Sequence, residues 1–321
     1  MTGKKEKLKV VLLGPYKEKH RRPILEVTPQ VEVVICADPD EALPEMEETE
    51  ILVCQGHHFR PDLYRASSRL KWIHALTAGV ENILTPEVKD SPVIVTHSAG
   101  IHAVPIAEHI MTFILSFVRR FNVYFRQQVQ SRWNQIRLDE LAGKTVGILG
   151  MGYVGRALAK RAKAFEMKVV ALRRHPEKPD DVDEVFPPEG LNQVLEAADF
   201  VVVCLPLTPE TRGLLGEKEF RAMKKSAYLV NIARGQIVDE KALVRALQEG
   251  WIAGAGLDVF AEEPLPPESP LWRLENVIIT PHQAGGTPYF NQRGINLFAE
   301  NLKRFLQGEK LVNLVDKDLG Y

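Results

Sequence analysis

Cysteine is scarce in this chain: Cys36, Cys54 and Cys204 stand far apart, are odd in number and show no paired metal-ligand spacing. That argues against a disulfide framework and against a metal site, and it suits three reduced thiols in or near the cores of a cytoplasmic protein. Long hydrophobic runs are missing as well, and none approaches the roughly 20 residues that a membrane helix needs. The opening residues, MTGKKEKLKV, carry the positive charge of a signal peptide without its apolar stretch. Charge of one sign is also lacking. Lys+Arg of 41 against Asp+Glu of 42 leaves −1, a balance that recruits neither nucleic acid nor an anionic membrane. Repeats and low-complexity linkers do not occur. What is present is the composition of a soluble globular protein, 45% hydrophobic and 26% charged, and 321 residues are enough for two domains.

Short apolar, β-branched runs alternate with helix-like segments. The first series of expected strands covers 9–13, 31–35, 51–54, 72–75 and 93–96. The second covers 145–149, 168–172, 200–204, 227–232, 255–258 and 277–280. The runs are continuous rather than alternating, as parallel strands covered on both faces require, and the pattern predicts βαβ units in two α/β domains with Rossmann-like parallel sheets. The last helical stretch, 289–306, cannot add a strand to the second series and is expected to return to the first domain. The first domain is therefore discontinuous, residues 1–98 with 288–321, around a second domain of 99–287. Segment 102–118 has apolar residues on more of its circumference than one core-facing stripe needs, so it lies either between domains or against a second subunit. The polar and aromatic stretch 119–132 reads as an arm over a partner, and a homodimer through the 102–118 region is expected. Segment 264–270 is a proline-rich loop.

Gly150-Met151-Gly152-Tyr153-Val154-Gly155 is a G-x-G-x-x-G that follows the strand 145–149 and opens a helix over 156–165. In that context it is a dinucleotide-binding fingerprint: Gly150 for the tight turn, Gly152 for close approach of a pyrophosphate, Gly155 for helix–strand packing. The phosphates would meet unpaired N–H groups at the helix start. An acidic residue at the end of the next strand would select NAD, but the sequence there is Ala171-Leu172-Arg173-Arg174-His175. Two guanidiniums can grip a 2′-phosphate, so NADP(H) is expected to be preferred over NAD(H).

Three further segments fall at the ends of expected strands, where open α/β sheets bind ligands: Val230 to Gly235, Leu257 to Pro264 and Thr280 to Gly286. Together with Leu205-Pro206-Leu207-Thr208-Pro209-Glu210-Thr211 and the glycine fingerprint, they make the sequence resemble the D-isomer-specific 2-hydroxyacid dehydrogenase family over nearly its whole length. The resemblance implies a hydride transfer between NAD(P)H and a small 2-keto acid, giving a D-2-hydroxy acid, as in glyoxylate/hydroxypyruvate reductases. It implies Arg234, Glu263 and His282 as the catalytic residues and Asp258 as the contact to the nicotinamide carboxamide. Tyr153, Val154, Leu205, Pro206, Thr211, Ile232, Ala233, His282 and Gly285 fall in the matching cofactor-binding segments. The turn Thr77-Ala78-Gly79 matches the family's carboxylate-holding loop, which makes the first domain the flavodoxin-like, substrate-binding one; Arg234 and His282 would also touch the substrate. The residue types suit the chemistry independently: a planar cation for a carboxylate and carbonyl, an imidazole whose pKa lies near operating pH, and a carboxylate to support it.

Departures from the family pattern narrow the choice. Its phosphoglycerate enzymes carry an arginine after the third strand, where this chain has Cys54-Gln55-Gly56-His57-His58 and no arginine before Arg60. The chain also ends at Tyr321 without the extra regulatory domain of many such enzymes. His57 and His58 lack partners for a metal site, so no zinc is inferred. Cys204 stands where many relatives have a histidine near the adenosine. Glu263 separates the sequence from formate dehydrogenases, which have glutamine there. A phosphite- or phosphoglycerate-type dehydrogenase of the family, or a catalytically silent dinucleotide-sensing protein, is the alternative.

Overall fold

Five parallel strands build the first sheet: β1 (Leu8–Leu13), β2 (Val31–Cys36), β3 (Ile51–Cys54), β4 (Trp72–Ala75) and β5 (Ile94–His97), in the order β2-β1-β3-β4-β5. The computed structural model describes residues 7–77, 79–174 and 178–318. Side chains alternate across each strand, and both faces are covered, which is why the strands read as unbroken apolar runs. Val11, Leu13, Leu52, Cys54, Ile73 and Ala75 fill one core; Val10, Leu12, Ile51, Val53 and Trp72 fill another. The second of these is closed by the helix Phe290–Gln307 through Ile295, Phe298 and Leu302. Beyond that helix the chain follows the edge of the sheet, where the His97 N–H donates to Asn313 O and the Val315 N–H to Val95 O. The first unit is thus discontinuous, Met1–Ile101 with Thr287–Tyr321.

A polar chain runs through this apolar unit. Trp72 Nε1 donates to Thr96 Oγ1 at 2.8 Å, and Thr96 Oγ1 lies 2.7 Å from His74 Nδ1. The indole donates to the threonine hydroxyl, and the His74 ring bridges from that hydroxyl to Ser98 Oγ, which lies 3.1 Å from Nε2. Burial pushes the His74 pKa from 6.5 down to about 3. A group whose folded pKa is depressed contributes stability that is complete above the unfolded value and is lost as pH falls below it. Between pH 6.5 and about 3 the loss should approach about 1.4 kcal/mol per pH unit. Urea unfolding at pH 7 and pH 5 should show this decline in the wild type, and His74→Gln, less stable at pH 7, should decline less.

The second unit, His102–Gly286, holds seven parallel strands. They are β6 (Thr145–Leu149), β7 (Lys168–Leu172), β8 (Glu184–Phe186), β9 (Phe200–Val203), β10 (Tyr228–Asn231), β11 (Gly254–Leu257) and β12 (Val277–Ile279), ordered β12-β11-β10-β9-β6-β7-β8. The chain proceeds outward from β6 to β8 on one side and then crosses to β9 on the other. This reversal leaves a crevice at the carboxyl ends of β6 and β9, where sheets of this kind bind ligands. β8 was not expected from the sequence: it is a three-residue edge strand paired only to β7, with no apolar run of its own.

The helix Ala103–Val118 buries Ala107, Ile110, Met111, Phe113, Ile114, Phe117 and Val118 in a core of the second unit, together with Leu158 and Ala162 of the helix Tyr153–Ala164. Ile106 and Leu115 are partly buried and Val104 is exposed. Further exposed apolar surface lies on the next helix, Phe121–Val129, which has no buried residue. Among the described residues, no helix is long and apolar enough to cross a membrane.

Candidate active site

At the carboxyl end of β6 the chain turns on Gly150, whose φ of +106° is closed to L side chains; a Cβ there would lie 2.8 Å from the Cys204 carbonyl oxygen. Gly155 has the Gly150 carbonyl oxygen where its Cβ would stand, which fixes how closely helix and strand approach. Gly152 differs from both. It is the N-cap of the helix Tyr153–Ala164, no side chain caps that helix, and a Cβ there would meet nothing within 4 Å. The turn is closed where packing requires it and open at the helix start around Tyr153 and Val154, which is the arrangement a pyrophosphate needs. The helix begins three residues earlier than the expected 156, because the glycine turn itself serves as its start.

Past β7, the Arg173 N–H donates to Phe186 O of β8 at 2.9 Å, which fixes the backbone; Arg173 is half-buried and Arg174 exposed. His175 and Ala78 lie outside the described residues. Glu210 is held below the usual carboxylate range by a hydrogen bond from Thr208 first and, last among the causes, by the charge of Arg174. That places Arg174 toward the loop 205–211. In this loop Leu205 is half-buried and Pro206 exposed. Thr211 Oγ1 donates to Pro206 O at 2.7 Å and accepts the Thr208 N–H at 2.8 Å, so the hydroxyl assigned to the cofactor folds the loop. Burial pushes the Cys204 thiol up to about 12, and it stays neutral.

β10 ends in Asn231, only 1% exposed, whose amide braces the following turn: Oδ1 accepts the Ala233 N–H and Nδ2 donates to Arg234 O, each at 3.1 Å. Ile232 and Ala233 are buried, while Arg234 is exposed, with Nη1 donating to Ala233 O at 2.7 Å. Gly235 lies flat against the backbone of Phe260 and Ala261, leaving no room for a side chain. This contact brings the turn after β10 onto the loop after β11, which carries Glu263. The signal for Asn231 and Gly235 was present in Asn231-Ile232-Ala233-Arg234-Gly235, but their work depends on a neighbouring loop that the segment alone does not show.

Glu263 Oε2 lies 2.7 Å from His282 Nδ1, and Oε1 accepts the Phe260 N–H at 2.9 Å. Partial burial by itself would raise the Glu263 pKa. The hydrogen bonds from His282 and Phe260, followed by the nearby charges of His282 and Arg234, outweigh it and hold the carboxyl below its ordinary value. A carboxylate only accepts, so Nδ1 carries the proton of this pair, and Nε2 is the ring atom left to give or take one. His282 adopts a left-handed φ of 52°, uncommon for a side chain of its size, and its N–H donates to Asp258 O at 2.9 Å.

Asp258 holds that turn in place. It is 1% exposed, and its Oδ1 accepts from Thr280 Oγ1 at 2.5 Å and the Gln283 N–H at 2.8 Å, its Oδ2 from the Ala284 N–H at 2.9 Å. The residue that the resemblance gave to the nicotinamide carboxamide thus has both carboxylate oxygens engaged by its own chain. Gly285, at the far end of the turn, accepts from His102 Nδ1 through its carbonyl at 3.1 Å. An open, largely apolar cavity of about 540 Å³ lies beside the Glu263–His282 pair, with Phe260, Leu265, Trp272 and Ile279 in its wall.

The first unit has its own candidate element. Thr77 Oγ1 donates to Gly79 O at 2.7 Å, the Ser98 N–H donates to Thr77 O at 3.0 Å, and the Glu81 carboxylate packs against Gly79. The His57 and His58 rings lie tilted to each other with centroids 4.1 Å apart, and Arg60 is tied to Asp40 at 2.8 Å and to Asp62 at 2.9 Å. Among the described residues no cluster of histidine, cysteine and carboxylate side chains could hold a metal ion.

A carboxylate–imidazole pair beside an arginine, at the carboxyl ends of a nucleotide-binding sheet, finds its counterpart among known proteins. Residues 111–284 match the family model for the D-isomer specific 2-hydroxyacid dehydrogenase NAD binding domain. The chain belongs to that family. A glyoxylate reductase of Thermofilum pendens is 39% identical over 290 residues, 87% of this chain and 85% of that one. Among solved structures, a D-isomer specific 2-hydroxyacid dehydrogenase family protein of Aeromonas salmonicida superposes with a TM-score of 0.85 at 31% identity, covering 97% of this chain and 100% of that one. One from Xanthobacter autotrophicus, in complex with NADPH and MES, gives 0.83 at 31% identity and covers 98% and 100%. The protein is an NAD(P)-dependent 2-hydroxyacid dehydrogenase, and the nicotinamide dinucleotide suits the open turn at Gly152. The two parallel sheets and the return of the C-terminal helix agree with the fold expected from the sequence.

Proposed function

We propose that this dehydrogenase reduces a small 2-keto acid, of the glyoxylate or hydroxypyruvate kind, to the D-2-hydroxy acid, with NADPH preferred over NADH. The observation that carries the reading is the 2.7 Å contact of Glu263 with His282 Nδ1, which leaves Nε2 to serve as the proton donor. When bound, the reduced nicotinamide supplies the hydride to the carbonyl carbon. Arg234 holds the substrate carboxylate in its planar fork and polarises the carbonyl. His282 Nε2 gives its proton to the carbonyl oxygen as the C=O π bond opens, and Glu263 stabilises the imidazolium beforehand. The open turn at Gly150, Gly152 and Gly155 with Tyr153 and Val154 would take the pyrophosphate; Leu205, Pro206, Ile232, Ala233 and Gly285 would border the cofactor. The turn Thr77-Ala78-Gly79 is proposed as a carboxylate-binding element of the first unit.

Glyoxylate is favoured by the name of the Thermofilum relative, and Arg60 argues against a phosphorylated substrate, since its guanidinium is already bound by two aspartates. The test is initial-rate absorbance at the reduced-nicotinamide band with glyoxylate, hydroxypyruvate, pyruvate, oxaloacetate and a bulky aromatic 2-keto acid. Turnover of the two smallest acids above the rest is the expected result, and no turnover with any of them would overturn the reading.

Arg173 and Arg174 carry the cofactor preference, supported by the NADPH held by the Xanthobacter structure. Replacing both with Ala should raise KM for NADPH about tenfold or more, the loss of roughly one charge-assisted hydrogen bond, with NADH kinetics nearly unchanged. Equal loss with both cofactors would remove these arginines from the 2′-phosphate.

We further propose a cytoplasmic homodimer. The three cysteines are free, which suits a reducing compartment. The nine-residue helix Phe121–Val129 has no fully buried residue, and Phe121, Phe125, Val129 and Trp133 are 47%, 59%, 87% and 97% exposed. A helix this short is marginal without packing, so a second copy meeting the 102–118 region and the arm after it would supply the missing cover. Light scattering on a sizing column should give twice the 36.1 kDa chain mass.

A further inference from the structure

We propose that His102 and His109 are positioning residues for His282: from one face of the helix Ala103–Val118 and its N-cap they hold the two ends of the turn that carries it. The clamp serves the keto-acid reduction proposed above and rests on that reading for its effect on rate.

Seven residues separate the two imidazoles, which is close to two helical turns, so they point the same way about 10 Å apart. His109 Nε2 lies 2.9 Å from Thr280 Oγ1, and His102 Nδ1 lies 3.1 Å from Gly285 O. Donor logic fixes the direction of both contacts. Thr280 Oγ1 spends its only proton on the Asp258 carboxylate, so it must accept from His109 Nε2–H. A carbonyl only accepts, so His102 Nδ1–H is the donor to Gly285. Asp258, which takes the Thr280 proton, also takes the N–H groups of Gln283 and Ala284, the two residues after His282, while its backbone carbonyl accepts the His282 N–H. A continuous run therefore leads from helix to turn: His109, Thr280, Asp258, then the backbone of 282–284.

The turn gains from such support because His282 is held at φ 52°, a left-handed conformation uncommon outside glycine. His109 is kept as a neutral donor by burial, against the opposing pull of Asp258, whose Oδ1 lies 3.9 Å from Nε2. Its ring is seated edge-on against Phe113 at 4.8 Å between centroids. The charged groups around the turn are Asp258, Glu263 and, beyond Glu263, Arg234; on the helix, Glu108 is paired outward with Arg161 at 3.4 Å. His109 meets the turn at the Thr280 hydroxyl and His102 at the Gly285 carbonyl, so both act on His282 through the segment 280–285.

Removing the His109 donor should free Thr280 to rotate, loosen the turn and lengthen the His282–Glu263 contact. In His109→Ala we expect kcat for keto-acid reduction to fall about five- to tenfold, the scale of one lost hydrogen bond, with KM for the keto acid within twofold. His109→Gln offers an amide N–H in the same reach and should recover most of the rate. His102→Ala should move the same way. The second readout needs no substrate: NMR titration of the His282 ring in the intact protein. Its protonation midpoint should move to lower pH in His109→Ala and return in His109→Gln. An unchanged midpoint and kcat in His109→Ala would overturn the clamp. So would an equal fall in melting temperature in both His109 variants with the midpoint unmoved, which is what a merely structural role predicts. A wild-type protein that turns over no keto acid would sink the functional reading instead, while the NMR arm would still decide the clamp.

Discussion

Arg234→Ala should lower kcat/KM for the keto acid by about 10³-fold, the upper range for removing a preorganised donor at developing negative charge. Two roles fall to this one side chain, gripping the carboxylate and polarising the carbonyl, so both KM and kcat should suffer. Arg234→Lys should recover little, because a point charge does not reproduce the planar fork. The fold should not notice either change: Arg234 is exposed, and its guanidinium donates to the adjacent Ala233 carbonyl. Initial rates with each variant, beside a melting curve, check both halves of the expectation, and unchanged kinetics would remove Arg234 from the site.

Replacing His282 with Ala should cost roughly 10²–10⁴-fold in kcat, the usual contribution of a positioned general acid. A loss below about threefold, far under that range, would end the proton-donor assignment. Glu263→Gln tests the pair more finely. In reduction the imidazole must be protonated, so the rate falls on the alkaline side. Glu263, held below its ordinary value by His282 and Phe260 against the effect of burial, is charged at neutral pH and stabilises the imidazolium there. With glutamine the hydrogen bond can persist without the charge. The alkaline fall should therefore move to lower pH while KM for the cofactor stays put.

Much of this was legible in the sequence, for reasons visible residue by residue. The parallel strands announced themselves because both faces are buried: Leu12 and Leu13 pack into different cores yet are adjacent letters. Gly150 and Gly155 were legible because their requirements are local, a positive φ and a close approach within a few residues. β8 was not, since an edge strand with one partner needs no apolar run, and Glu184 could stand in any loop. Nor was the work of Asn231, Asp258 and Thr280, whose partners are fixed by the meeting of separate loops rather than by spacing.

The C-terminal helix has a consequence for how this protein is made. Trp72 and its apolar neighbours on one face of the first sheet are covered by Phe298 and Leu302, which leave the ribosome about 230 residues later, roughly 11–46 s at ordinary elongation rates. The second unit has every strand of its sheet by residue 279. Although encoded later, it can finish first, while the earlier sheet waits with a bare aromatic face. That interval is when a nascent chain most needs a chaperone, and slowing translation just before residue 290 should lengthen it and lower the soluble yield.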